Sequence, residues 1–205
     1  AKKYRQVIDV KAYCFDTSSN DPRVTVVSDR SEVLADSHFC SSEYVIFHFG
    51  VFSPLHDLID LVRRDIHSEV FFHNITPPQY LPPSSKELTH LSFCQISRFI
   101  GASSIAAGSC FSRDELRRCG IASEIDIFPL FGPNVKGSYR EKSIIDDARV
   151  INVLYCGRFV SSKNVVELVR SIDMVSKVMG RSISLTMVGS RKYSDASYLE
   201  SLINQ

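Results

Sequence analysis

The 205-residue chain is short of the signatures that usually give a sequence's chemistry away. It has no GxxxxGK[ST] stretch, which excludes the common nucleotide phosphate loop, and no HExxH, which excludes the familiar zinc-protease helix. It holds nine glycines, no two of them two residues apart, so an ordinary dinucleotide fingerprint is excluded as well. The six cysteines form no CxxC pair, and several lie in apolar patterns. They read as reduced core thiols of a cytoplasmic protein, not as a disulfide framework. There is no apolar run of about 18 residues, so no segment reads as a membrane span. Lysine and arginine total 24 against 23 acidic residues, a net charge of +1. No broad positive field exists to attract nucleic acid, and no nucleic-acid partner is expected. Nothing in the residues present reads as a signal peptide. The first residue is Ala1, which reads as a fragment or a processed chain.

What is present is an ordinary globular composition, 44% apolar and 23% charged, enough for a sizeable core. Strand-like and helix-like stretches alternate from about Arg23 onward. Val24 to Val27, Tyr44 to Phe49 and Glu69 to His73 read as strands, the aromatic run from Tyr44 as a buried one. Ser53-Pro54 reads as an N-cap with proline at the first helical position, and Leu55, Leu58, Ile59 and Val62 follow at helical spacing. Pro77, Pro78, Pro82 and Pro83 bracket a stiff, extended loop. Two capping boxes are expected. Ser84 to Glu87 opens a helix carrying Leu88, Leu91 and Phe99, and Ser112 to Glu115 opens a helix that Gly120 stops. Ser103 to Ala107 and Glu124 to Phe128 are further strand candidates. From Pro129 to Asp147, glycine, proline and mixed charge read as an interdomain linker. Alternation then resumes. Ile151 to Cys156 reads as a strand, Val165 to Met179 as a helix closed by Gly180, and Ile183 to Val188 as a strand. Leu199, Leu202 and Ile203 begin another helical face. Such alternation implies βαβ units and parallel sheets, an α/β fold.

Three loops could carry chemistry, each at the carboxyl end of an expected strand, where open α/β sheets bind ligands. The first holds Gly157, Arg158 and Lys163 before a helix N-terminus. Two fixed cations there suit a phosphate, and they would offset the charge that builds on a departing diphosphate. The same residues also fit a plain strand-to-helix loop with two solvated cations. The second is His73-Asn74-Ile75-Thr76-Pro77-Pro78. His73 could hydrogen-bond a sugar hydroxyl or orient a reacting group, or it could simply satisfy a loop carbonyl. The third is Gly189-Ser190-Arg191-Lys192, which could meet a base or ribose. A surface turn is the favoured reading there. His67 and Glu69 find no further metal ligand, Ser109 and Ser112 lack a nucleophile-elbow context, and nothing supports Cys110 as a nucleophile.

Taken together, several segments resemble the retaining glycosyltransferases of the family-four type, also described as group 1, which have two facing Rossmann-like domains (the GT-B architecture). They are Tyr44 to Gly50, Phe72 to Pro78, Ser109 to Leu116, Leu154 to Asn164 and Met187-Val188-Gly189, spanning roughly residues 40 to 205. The resemblance implies an acceptor-side domain over 1–132, a linker over 133–149 and a donor-side domain over 150–205, each partial. It implies that Arg158 and Lys163 bind the donor diphosphate and that His73 faces the sugar or the reacting centre. Gly157, Asn74, Thr76, Gly189 and Ser190 would contact substrate. No cofactor and no metal are expected. The donor would be a nucleoside-diphosphate sugar and the acceptor a saccharide or lipid-linked chain, transferred with retention in cell-surface polysaccharide synthesis. The setting would be the cytoplasm, with peripheral contact at the inner face of the membrane compatible but supported only by Lys2, Lys3 and Arg5. Family members are usually longer. The early glycine-rich loop and the paired-glutamate motif are not visible, so the chain reads as part of an enzyme that need not turn over alone. Two other readings stay open: a non-catalytic nucleotide-sugar-binding or scaffold subunit that needs a partner chain, and a nucleotide-sugar epimerase.

Overall fold

A computed structural model describes residues 8–81, 83–129 and 150–190. The chain divides into two compact units, Ala1–Pro78 with Pro82–Gly132, and Gln79–Leu81 with Pro133–Gln205. Both are mixed α/β with parallel strands.

In the first unit, β1 (Ala12–Cys14) and β2 (Val24–Val26) pair in parallel. Two short helices follow, α1 (Arg30–Ala35) and α2 (Ser37–Ser41). Asp36 ends α1 and caps α2, accepting from the His38 N–H while Lys11 reaches its other oxygen at 2.5 Å. The Tyr13 hydroxyl lies buried in the same corner, and burial followed by the Asp36 charge pushes its pKa up to about 12. The main sheet runs β3 (Tyr44–Phe49), β4 (His67–Phe72), β5 (Ser104–Ala107), β6 (Asp126–Ile127), all parallel and in chain order. Side chains alternate across a strand. Phe47 and Phe49, Val70 and Phe72, and Ile105 and Ala107 enter the core together. On β3, Tyr44, Ile46 and His48 take the other face and are exposed, which corrects the expectation of a fully buried strand. Strand β6 is shorter than the Glu124-to-Phe128 stretch expected of it.

The core face is covered by helical segments whose starts depart from the expected caps. Ser53 caps as expected and proline opens the turn, but Pro54–Leu61 is a 3-10 helix. It buries Leu58 and Ile59. Pro78 and Pro83 open two 3-10 turns, Pro78–Tyr80 and Pro83–Ser85, where an extended loop was expected, and Pro82 lies outside the described residues. Helix α3 (Lys86–Gln95) starts without the capping box: Ser85 is already helical and makes no side-chain cap bond. Its buried face is also the reverse of expectation. Leu88 and Leu91 are 44% and 42% exposed, while Thr89, Ser92 and Gln95 are buried. Phe99 belongs to a separate 3-10 segment, Ile96–Gly101.

The inward polar face of α3 serves a polar junction with the chain that leaves β3. Ser92 accepts from the Phe52 N–H at 2.8 Å. Gln95 accepts from the Ser53 N–H at 3.3 Å and donates to the Ser53 carbonyl at 2.9 Å. Backbone groups buried without such partners would cost about 1–3 kcal/mol each. Helix α4 (Cys110–Arg118) is capped by Ser109, which accepts from the Ser112 N–H at 3.2 Å, so the cap lies three residues before the expected box. Gly120 then turns the chain at φ 92°, as expected of a stop.

His56 is part of the same junction. It is buried, with Nδ1 3.3 Å from Gln95 Oε1 and Nε2 3.2 Å from the His48 carbonyl. Burial lowers its pKa below the ordinary 6.5, and the two hydrogen bonds and the Asp57 charge only partly oppose this. The unfolded chain then binds a proton at a higher pH than the folded one, so stability must fall as pH drops below that ordinary value. His56→Gln is expected to flatten the acid limb of a plot of unfolding free energy against pH. A limb of unchanged slope in the variant would assign the acid sensitivity to other groups.

In the second unit, β7 (Val150–Cys156) and β8 (Ser182–Val188) pair in parallel over seven residues. They are joined by a 3-10 turn, Ser161–Lys163, and by α5 (Val165–Met179), which Gly180 ends at φ 59°. The helix has the expected apolar face, but only Val165 on it is fully buried, while Val175 and Met179 are exposed. The stretch 130–149, expected as a linker, and Leu199, Leu202 and Ile203 lie outside the described residues. The cysteines correct another expectation. All six are free, but five are exposed and Cys14 is half-buried, so none is a core thiol. Among the described residues, no helix is long and apolar enough to cross a membrane.

Candidate functional site

Each unit has one candidate, at the carboxyl ends of its strands. In the second, the chain leaves β7 through Gly157 and Arg158, turns at Ser161–Lys163 and enters α5 through Asn164, which is left-handed at φ 49°. Asn164 supplies no side-chain cap, and its carbonyl accepts from the Leu168 N–H at 3.1 Å. Arg158 and Lys163 lie on this one loop, both exposed and neither paired with a carboxylate among the described residues. The loop is not slack. Tyr155 donates its hydroxyl to the Arg158 carbonyl at 2.7 Å, and Phe159 is buried beside it. The Gly157 N–H donates to the Val188 carbonyl at 2.9 Å, tying the ends of both strands together. Gly189 sits against this tie. A Cβ there would lie 2.8 Å from the Phe159 ring and closer still to the Gly157 carbonyl oxygen. The two glycines therefore let two loops pass backbone to backbone. Ser190 follows directly, and Arg191 and Lys192 lie outside the described residues.

In the first unit, His73 is the residue after β4, and its N–H donates to the Phe49 carbonyl at 2.7 Å. Its side chain does not satisfy a loop carbonyl. His73 Nε2 lies 2.9 Å from His48 Nδ1, with the rings 26° from parallel. His73 is exposed at the rim, yet its ring also packs against Phe71 at 4.8 Å. This partial burial, and then the charge of His48, lowers its pKa. Asn74 takes φ 96°, a conformation rare outside glycine, and its Oδ1 accepts from the Ile75 N–H at 2.8 Å. Asn74 thus shapes the turn that seats the buried Ile75, and Thr76 follows it exposed. At the other end of the same exposed face, Tyr44 stacks on His67, bonds Glu69 and has its pKa pushed up to about 12 by burial and that carboxylate. His67 also pairs with Ser104 at 3.0 Å. Among the described residues, no group of three or more potential ligands converges.

Two participants were not anticipated. His48 was read as part of a buried run, and only the strand register, His48 opposite Phe71, brings it to His73. Tyr155 is expected only as part of the strand from Ile151 to Cys156, and its hydroxyl closes the Arg158 loop. The alternation of β7 was its one available signal.

No protein-family model, no curated protein and no solved structure matches the chain.

Proposed function

We propose that the chain is part of a retaining glycosyltransferase of the family-four, two-domain type, and that its second unit holds the diphosphate of a nucleoside-diphosphate sugar. The observation that carries the reading is the loop from Gly157 to Asn164. It sets a guanidinium and an ammonium, both exposed, between the carboxyl end of a parallel strand and the start of a 15-residue helix. Arginine can grip two phosphate oxygens, lysine adds a point charge, and the helix start favours an anion. As the glycosidic bond breaks, negative charge grows on the diphosphate. Cations already in place stabilise that state more than the ground state, which lowers the barrier. The tie between the Gly157 N–H and the Val188 carbonyl supports the reading further, because it holds the loop that bears Arg158 in place before any ligand arrives. His73 is assigned to the sugar or reacting centre on the resemblance, with Asn74 and Thr76 beside it as substrate contacts.

The test is titration calorimetry of the 205-residue chain with uridine, guanosine and adenosine diphosphates and their hexose esters. One series is expected to bind. Arg158→Ala and Lys163→Ala should each weaken it by about 1.5–3 kcal/mol, roughly ten- to a hundredfold in Kd. If no nucleotide binds, or if one binds equally to both variants, the reading fails.

A further inference from the structure

His48 and His73 stand 25 residues apart in sequence, yet a ring nitrogen of one lies 2.9 Å from a ring nitrogen of the other. A hydrogen bond between two imidazoles needs one donor and one acceptor, so the neutral pair holds a single proton in the bridge. If His73 Nε2 carries it, His73 Nδ1 is a bare lone pair and His48 bears its proton on Nε2. If His48 Nδ1 carries it, His73 bears a proton on Nδ1 and His48 Nε2 is bare. In either case one outer nitrogen donates and the other accepts. Neither outer nitrogen has a hydrogen-bond partner among the described residues, and both residues are exposed.

We infer that His48 and His73 form a two-ring proton relay, in which His48 orients the His73 ring and couples its tautomer to its own. In one passage, a hydroxyl gives its proton to His73 Nδ1 and keeps the electron pair. The Nε2 proton of His73 crosses to His48 Nδ1, and the Nε2 proton of His48 leaves to water. No oxidant and no further reactant is needed. The reverse passage returns both rings to their first tautomers. That the hydroxyl belongs to a sugar rests on the function proposed above, but the relay does not.

Among the described residues, His48 is the one charge that acts on the His73 ring. Strand β4 contributes Phe71, whose ring lies 5.7 Å from His48 and 4.8 Å from His73. Phe128 packs edge-on against Phe71 at 6.3 Å. The turn after β3 contributes Gly50, at which an added Cβ would touch His73 Cβ at 3.5 Å. From Pro54–Leu61, His56 reaches the His48 carbonyl and not its ring. Burial and His48 are the influences on His73.

The test is an NMR titration of the imidazole nitrogens in the whole chain, which contains only six histidines. In the wild type, His73 is expected to titrate in steps that belong to the pair. In His48→Gln, which keeps a hydrogen-bonding side chain but cannot titrate, His73 should show one step with its midpoint moved up. His48→Asn should act on His73 in the same way, which covers the case in which one variant fails to fold. An unchanged His73 profile in His48→Gln and in His48→Asn would overturn the relay. Coupled titration in a chain that binds no nucleotide would remove the proposed function and keep the relay. Nucleotide binding with uncoupled rings would do the opposite.

Discussion

Gly189→Ala is expected to destabilise the second unit and to abolish the nucleotide binding proposed for it. The glycine is not needed for its backbone angle, because Gly189 does not occupy the left-handed region. On chain entropy alone, alanine would stabilise by about 0.4–1 kcal/mol. Space decides the sign instead. The new methyl would press on the Phe159 ring at 2.8 and 3.1 Å and, still closer, on the Gly157 carbonyl oxygen. A flexible side chain could swing away, but a carbonyl in a tied loop cannot: Gly157 is held by its own N–H to the Val188 carbonyl at 2.9 Å. Relief requires parting the ends of β7 and β8, which also carry Arg158. The cost belongs at the top of the about 1–3 kcal/mol typical of overpacking. Gly108 is the control, since an added Cβ there meets nothing within 4 Å. Thermal unfolding and calorimetry of both variants decide the matter. If Gly189→Ala behaves like Gly108→Ala, the close approach of the two loops has no energetic weight.

Phe99→Ala should produce the largest loss of stability in the first unit. The ring is 0% exposed and meets Phe49 edge-on at 4.8 Å and Phe72 at 6.2 Å. Deleting it removes the contact that seats Ile96–Gly101 on the inner face of β3 and β4. Large aromatic truncations in a core cost about 3–5 kcal/mol, and each lost aromatic pair adds about 0.5–1.5. Net stabilities are only about 5–15 kcal/mol, so the unit is expected to be near unfolding. Phe99→Leu should recover most of the loss. Urea denaturation monitored on the first unit is the measurement, and a drop below about 1 kcal/mol would mean that the site collapses around the missing ring.

Much of this architecture is legible in the sequence where local periodicity and a terminator agree. Strand β3 occupies Tyr44–Phe49, and α5 runs from Val165 to Met179 before Gly180, as their patterns imply. What is not legible is what distant residues impose. Leu88 and Leu91 promise an apolar inner face for α3, yet Ser92 and Gln95 turn inward to partners some 40 positions away, |i−j| of 40 and 42. Ser109 and Ser112 are equally good caps by type, and it is Ser109 that caps α4, accepting from the Ser112 N–H. That Arg158 and Lys163 share one loop is legible in the sequence because that loop is short and local. Gly189 stands among the sequence candidates too, but the constraint on it, a close approach between two strand ends, is not legible there. His48 was hidden for the same reason: no spacing rule reveals a partner that only parallel register supplies.

The thinness of the βαβ unit has a further consequence. Among its described residues only Phe159 and Val165 are buried apolar side chains, against a cluster of 17 around the main sheet. Local opening draws on the regions with the fewest buried contacts, so the segment that bears Arg158 sits at the low end of the protein's scale of opening free energies. Any anion that grips it adds RT ln(1 + [L]/Kd) to a small intrinsic term. Occupancy would therefore register first as slowed amide exchange along β7 and β8, before any change in shape.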